Sequence, residues 1–382
     1  MAEGQLLPNA EASSEPVLVA PDAIPDEPLD HPLEDGLTVV KSPEGLSVSV
    51  DGYGFRLGKK SGRMVVKKAD GETVWQFPLD QLSDVFILRN GSFLSTDLIA
   101  EAAVRGVSLH IMEPNGRPVA QLQSPALTAT IETRRAQIQA ETMPIGRQLA
   151  VAFAAGKVLN QSRLLRYCWK YLNQTDAARA EHVRKAASDL LRIRRQMLQM
   201  SRQEAAEFRE ALMGFEGSAA NRYWDAVGQI IRDRADFPGR RHRGASDSIN
   251  CMLNYGYGIL YAQVWSAVLR AGLEPFAGFL HADRSGQPSL VLDLTEEFRA
   301  PVVDRTVIAA VNLGQAAEIR DGRMTQEART QLADKILKRL ESRETVEDKE
   351  FQIRSIVQMQ ARRVATFLRG KSSHYRAFRL RW

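Results

Sequence analysis

The feature that most constrains this chain is a change of hydrophobic period near residue 125. Before it, apolar residues fall in short runs rich in β-branched and aromatic side chains: Leu46 to Val50, Tyr53 to Leu57, Met64 to Lys67 and Thr73 to Phe77. The turn signals Asp51-Gly52, Ser61-Gly62 and Asp70-Gly71 separate them, as in a meander of short strands. Val85 to Leu88 and Val107 to Met112 read as further strands, Ser95 to Arg105 as a helix capped by Ser95 or Thr96, and Asn115-Gly116 as a turn. Beyond the change a 3.6-residue period takes over, in Ile131 to Ala154, Arg163 to Tyr171, Ala177 to Met200, Ala205 to Ile231 and Ser248 to Ala271. The two patterns predict an α+β protein, with a β-rich domain over 37–123 and a larger all-helical domain over 124–382. No repeat with a period of about 20 to 50 residues is visible, which argues against a solenoid.

Charge adds a second division. Residues 1–40 hold nine acids, no Lys or Arg, and six of the sixteen prolines. Such a stretch buries too little apolar surface to offset its ordering entropy, so 1–36 is expected to be a disordered acidic leader. The remaining residues carry 51 basic against 37 acidic groups, an excess that favours a polyanionic partner such as nucleic acid. After the charged stretch Lys335 to Glu350, the last 32 residues contain eight Lys or Arg and no acid, predicting a basic helix or tail. Apolar stretches such as Leu149 to Ala155 are broken long before membrane-spanning length, and the N-terminus lacks a signal peptide. Two cysteines, Cys168 and Cys251, suit neither a disulfide framework nor a cysteine zinc site. A cytoplasmic protein is expected.

Chemistry-bearing residues concentrate in the helical part. Glu216 lies between Gly214 and Gly217 inside a helical run. Glycine there costs about 1 kcal/mol relative to Ala, which points either to close approach of backbone or ligand, or to a helix crossing with Glu216 exposed. His281 ends the apolar segment Gly278-Phe279-Leu280, a place where a lone histidine is ordinarily structural. Eight residues later, Ser289 is a plausible N-cap for a helix with Leu290, Leu294 and Phe298 as its core stripe. On that wheel Asp293 lies about 60° from Glu296 and about 40° from Glu297, so two carboxylates can converge. Adjacent buried carboxylates repel unless they share a proton or cation. With His281 they suit Mg²⁺ or Mn²⁺; alternatively the acids favour the N-terminal part of a helix and pair with Arg299 or Arg305. The loop Phe237 to Asn250 adds Arg240, Arg241, His242 and Arg243 before a helix, either a phosphate grip or an exposed basic linker.

In this order the segments resemble the CRISPR-associated "Cas-one" integrase family. The motifs are LMGFEGSAANRYW at 212–224, FPGRRHR with DSINCMLNYGY within 237–257, GLEPFAGFLH at 272–281 and SLVLDLTEEFRAPVVDR at 289–305. KVLNQSRLLR at 157–166, ARRVATFLRG at 361–370 and YRAFRLRW at 375–382 also fit, so the resemblance spans about 37–382. It implies a β-rich homodimerisation domain and a helical catalytic domain. It also implies a metal-dependent endonuclease and integrase that inserts short DNA duplexes into a CRISPR array by 3′-hydroxyl attack. The family's metal ligands fall on Glu216, His281 and Glu296, with Asp293 at a second acidic position that assists directly or through water. Arg240, Arg241, Arg243, Arg376, Arg379 and Arg381 would contact DNA, and a dimer of a small ferredoxin-like companion Cas protein would bridge two homodimers. Gly244-Ala245 stands where many relatives have Pro-Pro, and Asn254 where many have Ser. The competing readings are a casposase-like transposon integrase, for which a further C-terminal DNA-reading domain is expected, and a non-catalytic DNA-bridging scaffold. The sequence runs only to Trp382, at the family's closing motif, which is not what the casposase-like reading expects.

Overall fold

The computed structural model describes residues 37–42, 45–89, 91–114, 116–122, 131–200, 208–242 and 244–381. The acidic leader, the first residues of the run expected from Ala205, and Arg243 lie outside them.

Two sheets form the N-terminal part. Strands β1 (Leu37–Ser42), β2 (Gly45–Val50), β6 (Leu82–Ile87), β8 (Ser108–Met112) and β9 (Pro118–Leu122) make a mixed five-stranded sheet in the order β1-β2-β6-β8-β9. Its β2-β6 and β6-β8 pairs are parallel. Strands β3 (Arg56–Lys60), β4 (Arg63–Lys67), β5 (Thr73–Pro78) and β7 (Phe93–Leu94) make a second sheet, ordered β5-β4-β3-β7. A shared core of Val48, Val50, Val85, Met64, Val66 and Trp75 joins the two. Helix α1 (Thr96–Arg105) is capped by the Ser95 hydroxyl, which accepts from the Leu98 amide, and by Gly106 in the left-handed conformation. One expected strand is displaced: Tyr53 to Phe55 form a bend at Gly54, with φ +79°, and pairing starts only at Arg56.

The period-2 pattern of β6 explains how the sheet meets the helices. Val85 and Ile87 point into the N-terminal core, whereas Phe86 and Leu88 pack into the helical core. That core is built on α2 (Ile131–Ala140), α3 (Pro144–Leu172), α4 (Ala177–Met200), α5 (Phe208–Ile231) and the largely buried α6 (Ser248–Arg270). The single run expected over 131–154 is two helices, because Pro144 opens α3 at a position that needs no amide donor. Short α7 (Ser289–Thr295) leads into a π-helical turn over Arg299–Asp304, followed by α8 (Arg305–Asn312), α9 (Gln326–Glu341) and α10 (Ile353–Leu368). Two hairpins are embedded among these helices, β10 (Ile319–Arg320) with β11 (Arg323–Met324), and β12 (Arg343–Val346) with β13 (Lys349–Gln352). Their short, charged strands carry no apolar alternation.

The two parts are locked together by buried charge. Arg354 of α10 donates to Asp84 and Ser83 of β6, to Ser47 of β2 and to Glu341 of α9. His110 stands 3.2 Å from the other oxygen of Asp84. Burial raises the Asp84 pKa, but His110, Arg270 and Arg354 together outweigh it and hold the carboxyl well below its ordinary range. Nearby, the β8-β9 turn lies directly on α6: a Cβ on Gly258 would meet the Gly116 carbonyl at 1.4 Å, so only glycine permits the contact.

Candidate active site

Glu216 on α5 and Glu296, just past α7, meet at Lys157 of α3. The Lys157 ammonium donates to Glu216 and lies 2.7 Å from Oε2 of Glu296. Lys157 thus forms an ion pair with each acid. Arg299 is a second cation on the same acid, with Nε 3.4 Å from Oε1. Glu296 is 3% exposed; burial raises its pKa, but Arg299, Lys157 and His281 overcome this and bring it to about 2. Burial likewise lowers the Lys157 pKa, and Glu296 with Glu216 raises it beyond its ordinary value. Lys157 and Glu296 are therefore both charged at neutral pH. Gly214 and Gly217 face open space beside Glu216, so no protein backbone makes the close approach that their presence allowed.

His281 is held by Asp293. Its ring Nδ1 lies 2.7 Å from Oδ1 of Asp293, and that oxygen also accepts the His281 amide. The other carboxylate oxygen accepts the amides of Phe279 and Leu280, at 2.6 and 2.9 Å. This cradle requires Gly278, where a Cβ would lie 2.5 Å from Ser289 and 3.1 Å from Oδ2 of Asp293. Burial lowers the His281 pKa, and Asp293, then Glu296, raise it above its ordinary value.

The predicted convergence of Asp293, Glu296 and Glu297 is thus corrected. Asp293 is spent on backbone amides and the imidazole, so it orients His281 and leaves no oxygen for direct ligation. Glu297 faces the other way, accepting from Tyr375, Gln360 and the Phe378 amide; burial raises its pKa to about 7, against these hydrogen bonds, which lower it. Asp293 lies within α7 and Glu296 is its C-cap, so the acids diverge through the partners that each one meets. Ser289 is also not the cap: Pro288 holds that position, and the Ser289 hydroxyl donates to the Ala282 and Gln287 carbonyls.

Among the described residues no three His, Cys, Asp or Glu side chains are close enough to share one ion. Glu216 and Glu296 are brought together, with His281 within electrostatic reach of Glu296. In donor chemistry, two carboxylates and an imidazole whose other nitrogen is fixed by a carboxylate suit a hard divalent cation. Arg299, three residues past Glu296, is the pairing that the sequence offered, whereas Lys157 comes from a buried run of α3 that local patterning does not mark.

The basic loop divides. Arg240 is half-buried and donates to Asn250 and Asn254 at 3.0 and 2.6 Å. Arg241 remains exposed. His242 is a neutral imidazole at physiological pH: burial, then Arg240, Arg299 and Lys157, lower its pKa to about 4. Arg376, Arg379 and Arg381 are exposed on the chain that docks on α3, where Asn160 donates to the Phe378 carbonyl and accepts the Leu380 amide. Arg379 and Arg381 there adjoin Arg163 of α3, and Arg379 also adjoins Arg194 of α4. Burial and this mutual repulsion lower the Arg163 and Arg194 pKa values, and each has a buried guanidinium nitrogen without a hydrogen-bond partner. A cavity of about 1360 Å³ borders the acids through Thr295 and Arg299.

In this α+β chain, half-buried Glu216 and buried Glu296 therefore converge on Lys157, and Arg241, Arg376, Arg379 and Arg381 are exposed. Residues 48–342 match the family model described as CRISPR associated protein Cas1. The chain is 34% identical over 345 residues to the CRISPR-associated endonuclease Cas1 1 of Archaeoglobus fulgidus, covering 87% of this chain and 99% of that one. It is 38% identical over 277 residues to the protein of the same name from Pyrobaculum aerophilum, covering 72% and 85%. This chain belongs to the Cas1 family. Its fold is similar to that of a casposase bound to integration product, with a TM-score of 0.73, 21% identity and coverage of 86% and 92%. A CAS1 protein from Thermotoga maritima is similar at 0.70, with 20% identity and coverage of 86% and 98%. Part of a Cas6-RT-Cas1–Cas2 complex is similar at 0.71, with 20% identity and coverage of 89% and 36%. No described helix is long and apolar enough to cross a membrane.

Proposed function

We propose that this protein is a metal-dependent DNA integrase and endonuclease of CRISPR adaptation. The observation that carries the reading is the meeting of Glu216 and Glu296 at a buried cation, in a chain whose curated relatives are named CRISPR-associated endonucleases. Glu216, Glu296 and His281 would hold Mg²⁺ or Mn²⁺, which when bound polarises a phosphoryl oxygen and stabilises charge on the attacking and leaving oxygens. Asp293 fixes the imidazole so that Nε2 is the nitrogen available for binding. Arg299 and Lys157 place positive charge beside the acids, where a phosphodiester gains negative charge as the 3′-hydroxyl attacks. No protein nucleophile is needed. The water-driven version of the same displacement is strand cleavage.

Arg241 and the cluster of Arg163, Arg194, Arg379 and Arg381 supply backbone contacts whose strength falls with salt; Arg243 and Arg376 join them in this reading. The partners are double-stranded DNA, a second copy of the chain forming a homodimer, and a dimer of the small ferredoxin-like companion Cas protein. The neighbouring solved complex is named for Cas1 together with Cas2.

The test joins a labelled duplex with free 3′-hydroxyls to a supercoiled plasmid carrying a CRISPR array, with and without Mg²⁺ or Mn²⁺ and the companion protein. Metal-dependent joining at repeat edges, absent from Glu216→Ala, is the expected result. Binding without any chemistry would favour the scaffold instead.

A further inference from the structure

The π-helical turn at Arg299–Asp304 solves a geometric problem that an α-helix cannot. Residues five apart on an α-helix lie about 140° apart around the axis, on different faces. In a π-helix the hydrogen bond spans five residues and brings such a pair to one face. The bond is present here, from the Arg305 amide to the Ala300 carbonyl. As a result Arg299 and Asp304, at the two ends of the turn, both meet Tyr257 of α6.

The contacts are specific. Asp304, 1% exposed, accepts from the hydroxyls of Tyr257 and, at 2.6 Å, Tyr223. The Arg299 guanidinium stands 4.8 Å from the centre of the Tyr257 ring, and that of Arg240 stands 5.3 Å from the same ring and 5.9 Å from Trp224. Two cations therefore share one phenol, beside the acids that Arg299 contacts. A carboxylate accepting the phenol proton makes the ring more electron-rich and strengthens its hold on a cation. Asp304 also attracts both guanidinium groups through space, offsetting their repulsion.

We infer that Asp304 and Tyr257 are positioning residues for strand transfer, acting through the π-turn to hold Arg299 and Arg240 as a paired cation beside Glu296. The inference rests on the integrase reading for its role in the reaction, while the positioning itself is independent of it. Tyr223 provides the internal control, since it gives Asp304 the same kind of hydrogen bond but carries neither arginine.

The experiment compares Tyr257→Phe, Tyr257→Leu and Tyr223→Phe with wild type in the full chain. Joining kinetics are measured with the companion protein present, and the arginine Nε–H signals are recorded by NMR without metal or DNA. Arg240→Lys and Arg299→Lys assign the two signals. Both phenylalanine variants should lower the melting temperature similarly, because each removes one buried hydrogen bond. Only Tyr257→Phe should lower kcat, by about tenfold, with KM for DNA held within about twofold. Tyr257→Leu should cost about tenfold more and shift or broaden both assigned signals, which Tyr223→Phe leaves in place. Equal kcat losses in the two phenylalanine variants, or arginine signals untouched by Tyr257→Leu, would overturn the inference. If wild type joins no strands, the integrase reading fails, and the NMR comparison still decides the positioning.

Discussion

Asp84 and Glu296 are both buried carboxylates flanked by arginine, yet they are satisfied in different ways. Asp84 has hydrogen bonds on both oxygens, from Arg354 and His110, and ties the sheet to the helices. Glu296 is held by ion pairs to Lys157 and Arg299, and Lys157 pairs in turn with Glu216, which is partly exposed. The first arrangement is closed and stabilises the fold. The second leads out to a partly exposed acid, an opening that the first lacks.

The largest expected effect separates the two by function. Glu216→Ala or His281→Ala should lower strand joining by about a thousandfold while moving the melting temperature by no more than about 2 °C. Normal joining in either variant would remove the acids and imidazole from the mechanism. Arg354→Met should do the opposite, destabilising the chain by about 3 to 5 kcal/mol in urea denaturation, because it leaves Asp84 buried with too little compensation. A loss below about 1 kcal/mol would mean that the cluster is not closed in the sense argued.

Asp293→Asn sharpens the contrast within the site. It keeps much of the amide cradle but weakens the hold on His281, so Mn²⁺ affinity read by electron paramagnetic resonance should fall about 10- to 100-fold. An unchanged affinity would detach His281 from the metal. The smallest effect is in acid. The folded Asp84 pKa lies below the ordinary 3.8, so its stabilisation is fully present above that value and is lost as pH falls through the folded pKa. Urea midpoints of Asp84→Asn should therefore depend less on pH below about 4 than those of wild type.

Much of this was legible in the sequence, for definable reasons. The order of a sheet region before a helical part followed from the change of period, and helix α1 from its serine cap. Glu216, His281 and Glu296 were named as ligands by the family resemblance. What remained hidden depended on tertiary contacts. Lys157 sits in an apolar helical run and meets Glu216 59 positions away. Asp293 and Glu296 take different roles because the amides of 279–281 claim the first and Lys157 and Arg299 the second. Arg240 turns inward because Asn250 and Asn254 wait one turn apart on α6. The clustering of Arg163 and Arg194 with Arg379 needs the chain near residue 380 to dock on α3.

That docking gives the molecule a timetable. Asn160 is bonded to Leu380, 220 positions later, and Glu297 waits for Tyr375 and Phe378. During synthesis, both acids can emerge from the ribosome well before the segment that braces the wall beside them has been made. A polypeptide stalled before residue 375 carries Glu216, His281 and Glu296 but leaves Glu297 buried-to-be without two of its three donors. The hydrogen bonds of Glu297 and Asn160 are thus complete only once the chain through residue 380 has been made.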